Sequence, residues 1–314
     1  MILVTGGTGY LGRALVDQLI AQGEKVRVLC RGQRETPAEA CIGDVTEPAR
    51  LDAAMRGVEV VYHLAALVDH HAPEAALYRV NVQGTINVAE AALRHGVRRM
   101  VHCSSVSAEP GGGSTPYGRS KIAAEQALAA YRKRLPIITL RPGPVYDEER
   151  VNLRRLVRFA AATRLCPRLV PDVTVHLASR SNVTAAFLLA RDRGEPGGVY
   201  AICDREPVER SSLARIIQRE TGAIAVPLPL PLLSPVLHAA ALACAGLHAA
   251  LGLRPALDRR HLRVLTRARR YDIARACAEL GFDPAPTERH FAEAVWRCLD
   301  RSAQGTVGGI QARP

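Results

Sequence analysis

Lysine is scarce. Only Lys25, Lys121 and Lys133 occur in 314 residues, so almost all of the +12 formal charge is arginine. Spread over an alanine-rich chain, that charge reads as a solvated surface rather than a nucleic-acid patch; an anionic ligand or membrane surface is the alternative. No C-x-x-C occurs among the eight cysteines, and no His/Cys spacing suits zinc, so no metal is expected. Free thiols fit a reducing compartment. No stretch suited to a signal peptide precedes the apolar strand that begins after Met1, and a cytoplasmic protein is expected. Repeats of solenoid length are also lacking, as are long polar tracts. With 48% hydrophobic residues, one large core plus a smaller lobe is the expectation.

What is present is alternation. Strand-like runs at Ile2–Thr5, Val26–Cys30, Ala40–Gly43, Val58–Leu64, Arg99–Ser104 and Ile137–Arg141 are separated by helical stretches at Tyr10–Ala21, Pro48–Met55, Glu74–His95 and Tyr117–Arg134. That order implies an α/β fold, a Rossmann-type doubly wound parallel sheet. Beyond Pro142 the alternation weakens into helices at Val151–Thr163, Asn182–Arg191 and Ser211–Gly222, with a strand at Gly198–Cys203. The expected division is 1–146 as a dinucleotide-binding domain to which 173–203 return, with 147–172 and 204–314 as a smaller substrate lobe.

Thr5-Gly6-Gly7-Thr8-Gly9-Tyr10-Leu11-Gly12 follows the first strand and opens the first helix. Gly6 permits a tight turn, Gly9 lets the backbone approach a pyrophosphate, and Gly12 lets helix and strand pack closely; the helix N-terminus favours an anion. A merely structural turn is the bland alternative. An acidic residue at the end of the second strand holds the ribose hydroxyls of NAD, but this chain has Cys30 there, then Arg31 and Arg34. Guanidinium matches a 2′-phosphate, so NADP(H) is favoured over NAD(H), unless Arg31 simply faces solvent.

Tyr117 and Lys121 stand four apart at the start of a helix, on one face. A phenol needs about 4 kcal/mol of anion stabilisation to work as an acid/base at neutral pH. An ammonium about 4 Å away supplies energy of that order, so Lys121 is expected to lower the tyrosine pKa. Ser105, at the end of the apolar strand Met100–Ser104, is placed to hold a substrate oxygen; a simple hydroxyl cap is the alternative reading.

Together these residues resemble the extended short-chain dehydrogenase/reductase family, also called NAD-dependent epimerase/dehydratases. Thr5–Gly12 matches its T-G-x-x-G-x-x-G, Asp44-Val45 its adenine-contacting motif, and His63-Leu64-Ala65-Ala66 the H-x-A-A that lines the cofactor. Asn81-Val82-Gln83-Gly84-Thr85 matches its N-V-x-G-T helix motif, Ser105, Tyr117 and Lys121 its catalytic triad, and Arg141-Pro142 the motif beside the nicotinamide. The resemblance implies cofactor contacts from Gly6, Gly9, Tyr10, Leu11, Gly12, Asp44, Val45, Ala65, Tyr117, Lys121 and Pro142, to which the match of guanidinium to a 2′-phosphate adds Arg31. Gly198–Ile202, Pro227–Pro235, Tyr271-Asp272-Ile273 and Glu279–Phe282 are similar to the 3β-hydroxysteroid dehydrogenase and dihydroflavonol reductase branch. The Asp–Glu pair of the sugar-nucleotide dehydratases is missing after Ser105, and Glu109–Gly113 is short and glycine-rich. The expected activity is ketone/secondary-alcohol interconversion on an apolar small molecule. The alternatives are a nucleotide-sugar epimerase with bound NAD(P) and a non-catalytic dinucleotide sensor.

Thr221–Leu253 contains no Asp, Glu, Lys or Arg, and Arg254 to Arg270 then bring seven arginines and the single acid Asp258. Val236–Leu253 would be about 27 Å long as a helix, barely a bilayer core. A helix packed on the lobe is the first expectation, with shallow membrane contact through 236–270 as the second. His70 and His71 are read as surface residues or substrate contacts, and a homodimer is left open.

Overall fold

The computed structural model describes residues 1–33, 35–69, 72–109, 115–229 and 268–307, with side chains of the last segment described as far as Asp300. Arg34, His70, His71, Pro110–Ser114 and the stretches 230–267 and 308–314 lie outside the described residues.

In chain order the elements are β1 (Ile2–Thr5), α1 (Tyr10–Ala21), β2 (Val26–Cys30), β3 (Glu39–Ile42), α2 (Pro48–Met55), β4 (Val60–His63), α3 (Glu74–Tyr78), α4 (Gly84–Arg94), β5 (Arg99–Cys103), α5 (Pro116–Ala129), β6 (Ile137–Pro142) and β7 (Val145–Tyr146). After these come α6 (Val151–Thr163), β8 (Leu165–Val170), β9 (Thr174–Val175), β10 (Ala178–Ser179), α7 (Arg180–Leu189), β11 (Val199–Ile202), β12 (Val208–Glu209), α8 (Arg210–Thr221), β13 (Ile224–Pro229), α9 (Ala274–Leu280) and α10 (Thr287–Val307).

The first unit comprises Met1–Val145, Arg180–Cys203 and Tyr271–Pro284. It holds a seven-stranded parallel sheet in the order β11-β6-β5-β4-β1-β2-β3. The strand order reverses between β1 and β4, and such a reversal opens a crevice at the carboxyl ends of the strands. Register places Thr5 beside His63, and His63 beside His102, so three polar side chains line up there. Below them Leu3, Val61, Met100 and Ile137 meet Leu51, Met55, Val88, Ala92 and Leu128 in one buried cluster. Continuous apolar strands are what a sheet covered on both faces requires.

The stretch expected as a single helix over Glu74–His95 is broken: a π-turn, Arg79–Gln83, separates α3 from α4. The extra residue lets Asn81 turn toward the loop after β4. Its Oδ1 accepts from the Leu67 amide (2.7 Å), and its Nδ2 donates to the Leu67 carbonyl (3.0 Å). Bulges of this kind concentrate at functional sites.

The second unit comprises Tyr146–Ser179, Asp204–Arg270 and Ala285–Pro314. Here α6, α8 and α10 bury Leu153, Val157, Ile217, Phe291 and Val295, and β8 pairs with β13 in parallel. Residues 173–179 fall in this unit because β9 pairs with β12, Thr174 opposite Glu209. Tyr271–Pro284 falls in the first unit instead of the lobe, since Tyr200 on β11 donates its hydroxyl to Glu279 on α9 (2.5 Å) and the Arg275 guanidinium covers the Tyr200 ring.

Candidate functional site

The glycine turn between β1 and α1 is built without slack. Gly6 has φ +74°, and a Cβ there would stand 2.6 Å from the Ala65 nitrogen and 2.7 Å from the Leu64 carbonyl carbon. At Gly12 a Cβ would overlap the Gly6 carbonyl. Gly9 caps α1 with no side chain, and no acid occupies the first turn. The cradle therefore fits a diphosphate: bare backbone, a positive helix end, and room that any larger residue would fill. Tyr10 and Leu11 follow, half-buried, with the Arg180 guanidinium 5.1 Å over the Tyr10 ring.

At the end of β2 the buried Cys30 thiol donates to the Cys41 carbonyl (3.6 Å), while Arg31 is exposed. Asp44 Oδ1 accepts from the Thr46 amide (2.9 Å) and hydroxyl (2.8 Å), and the buried Val45 offers its carbonyl to Asn87 Nδ2 (3.0 Å). Pro142 is buried at the end of β6, opposite Ile202.

A hydrogen-bond chain crosses the sheet from this cradle. The Ala65 amide donates to Thr5 Oγ1 (3.3 Å), and Thr5 Oγ1 stands 2.7 Å from His63 Nδ1. His63 Nε2 stands 2.9 Å from Thr85 Oγ1, which spends its own proton on the Asn81 carbonyl (2.6 Å). Thr85 must then accept from His63, so the ring carries its proton on Nε2 and accepts from Thr5 on Nδ1. Asn81 Nδ2 also donates to Ser120 Oγ (2.9 Å), and that hydroxyl donates to the Tyr117 carbonyl (2.8 Å). The cradle and the tyrosine helix are thus tied by one polar path.

Thr115 caps α5 by accepting from the Gly118 amide (3.0 Å), with Pro116 in the first turn, which fixes where Tyr117 and Lys121 fall. Both are buried. Burial and the neighbouring Cys103 thiol push the Tyr117 phenol above its ordinary range, and a hydrogen bond shared with the Ser105 hydroxyl pulls it back. Ser105 and Tyr117 are therefore brought together. The expected coupling between Lys121 and the phenol is not what this structure shows. Lys121 Nζ donates to the Cys103 carbonyl (2.8 Å). Burial lowers His63 and His102 and raises the Cys103 thiol, and the Lys121 field adds to burial at the two histidines and opposes it at the thiol. Burial in turn lowers the lysine itself. The reason is reach: four residues along the helix align the two stems, but the ammonium turns to the end of β5, where a carbonyl meets it.

Sequence reasoning missed the groups behind this pair. Glu125, one helical turn past Lys121, accepts from Ser104 Oγ (2.5 Å) and takes a two-pronged contact from Arg141 (2.9 and 2.6 Å). The spacing of four along α5 was the available signal. Removing that carboxylate in Glu125→Ala leaves a half-buried guanidinium and a buried hydroxyl unpaired. Stability should fall by about 2 kcal/mol, read by urea denaturation; an unchanged midpoint would remove the pair from the fold's support. His102 was missed as well: it stacks on His63 at 5.4 Å, with both ring nitrogens buried and without a partner. Among the described residues no cluster suited to a metal ion occurs, and no helix is long and apolar enough to cross a membrane.

Comparison with known proteins follows the same pattern. The family model described as NAD dependent epimerase/dehydratase family matches residues 2–164. Sterol demethylase protein B of Methylococcus capsulatus is 32% identical, over 93% of this chain and 96% of its own. A 3-beta-hydroxysteroid dehydrogenase of Mycolicibacterium neoaurum is 27% identical, over 100% of this chain and 96% of its own. The solved structure of MoeE5 with UDP-glucuronic acid and NAD is 22% identical and superposes with a TM-score of 0.72, over 96% of this chain and 99% of its own. That last likeness is one of fold.

Proposed function

The chain belongs to the NAD-dependent epimerase/dehydratase family, as an oxidoreductase of the short-chain dehydrogenase/reductase type, and from that premise we propose that it interconverts a ketone and a secondary alcohol with NADP(H). One observation carries the reading: a buried phenol, Tyr117, bonded to the hydroxyl of Ser105 at the end of β5, in the unit that holds the glycine cradle. A bound nicotinamide dinucleotide supplies the hydride for such a reaction. Tyr117 gives its proton to the carbonyl oxygen on reduction and takes one back on oxidation. Ser105 holds that oxygen. Lys121 has one N–H bond in use, to the Cys103 carbonyl, and two more for a ribose hydroxyl or the developing anion.

The second unit is assigned the choice of substrate. The sterol and steroid in the names of two relatives support an apolar one. The missing Asp–Glu pair after Ser105 speaks against dehydration. The seven cysteines among the described residues are free of disulfides, which supports a reducing, cytoplasmic setting. A panel of apolar ketones with NADPH tests the reaction: loss of the reduced-nicotinamide absorbance in proportion to alcohol formed is expected. Turnover of a nucleotide sugar without net consumption of cofactor would make the chain an epimerase instead.

The cofactor preference rests on Cys30 and the exposed Arg31 where a ribose-binding carboxylate would stand. NADPH should be preferred, and Arg31→Ala should cut kcat/KM with NADPH about tenfold while leaving NADH nearly unchanged. A native preference for NADH would end this part of the proposal.

A further inference from the structure

Six of the nine large apolar side chains exposed among the described residues belong to the second unit. Five of them follow one another on three elements: Val151 and Phe159 on α6, Leu165 and Val170 on β8, and Ile224 on β13. Along α6, Val151, Arg155, Phe159 and Ala162 recur at helical spacing opposite the buried Leu153, Val157 and Ala160. Phe159 is 49% exposed. Leu165 and Ile224, 43% and 70% exposed, are register partners and stand side by side.

The charge around this stripe has one sign. From Val151 to Pro171 the chain has five arginines and no acid. Arg155, Arg158 and Arg168 are exposed and form no ion pair among the described residues. In the sequence, β13 belongs to the uncharged stretch Thr221–Leu253, which the arginines of 254–270 follow. An isologous contact with a second copy would set these arginines against themselves, which opposes that occupant. An apolar layer under a layer of anions is the chemistry that suits the face, and a bilayer surface with anionic headgroups offers it.

We propose that α6, β8 and β13 form a face that docks on an anionic membrane surface, with Phe159, Leu165 and Ile224 entering the headgroup boundary and Arg155 and Arg158 pairing with lipid phosphates. The inference does not depend on the reaction proposed above. It is tested by flotation of the full chain with vesicles of phosphatidylglycerol and phosphatidylcholine, against phosphatidylcholine alone, at low and high salt. Binding is expected to the anionic vesicles and to weaken with salt. Arg155→Gln with Arg158→Gln should lower the partition coefficient about 30-fold. Phe159→Ser with Ile224→Ser should remove the part that survives high salt. All four side chains are exposed, so thermal melts should match the wild type. No binding to anionic vesicles, or binding that both double variants retain in full, overturns the proposal. So does a wild-type dimer in solution that Phe159→Ser with Ile224→Ser turns into a monomer, since that gives the face to a second copy.

Discussion

Tyr117→Phe should lower kcat by a factor of about 10² to 10⁴, the range that a positioned general acid supplies, while the affinity for the dinucleotide stays within about twofold. The ring remains and only the hydroxyl goes, so the packing of a side chain 8% exposed is kept. What is lost is the proton held next to Ser105. Burial raises this phenol above its ordinary range, so it is fully protonated at neutral pH. Ketone reduction, which consumes that proton, should therefore be flat through neutral pH and fall only in alkali. Alcohol oxidation needs the phenolate and should rise with pH. Stopped assays in both directions, beside fluorescence titration of the cofactor, separate the chemistry from the binding. Full activity in the phenylalanine variant would sink the assignment, and so would reduction that rises with pH or oxidation that falls with it.

Where the Lys121 ammonium turns shows what a sequence can and cannot carry. The boundaries of β1, α1, β2, α2 and α6 follow from apolar periodicity and from Gly9 and Gly23 at the ends of α1, and the structure keeps them. The family and the sheet were legible for the same reason: glycine, tyrosine and lysine spacings are local. The direction in which an ammonium turns is not local. It depends on where the Cys103 carbonyl ends up, across a strand and a helix. The π-turn at Arg79–Gln83 has the same origin, since Asn81 answers to Leu67 and Ser120, far away in the chain. The assignment of 173–179 and 271–284 was likewise decided by pairing partners, Glu209 and Tyr200, that no periodicity announces.

Acid should destabilise the protein through the paired histidines of β4 and β5. Burial holds His63 down to about 3, with Lys121 adding to the effect, and it holds His102 well below its ordinary value. Both rings are therefore neutral in the fold, and the unfolded chain binds protons first as pH falls below 6.5. Their contribution is whole above that point, is lost as pH drops, and levels off for His63 only near its folded value. His63 alone should cost about 2 kcal/mol at pH 5 and about 3 kcal/mol at pH 4, with His102 adding a loss of the same sign. Carboxylates also titrate in acid, so the histidine share needs a subtraction. His102→Phe provides it: the ring nitrogens have no partners, so a phenyl ring should be tolerated at neutral pH or even stabilise. Urea denaturation at each pH should then show a shallower acid loss in the variant than in the wild type. Parallel curves would mean that His102 takes up a proton as readily inside the fold as outside, and the neutral stacked pair would have to be given up.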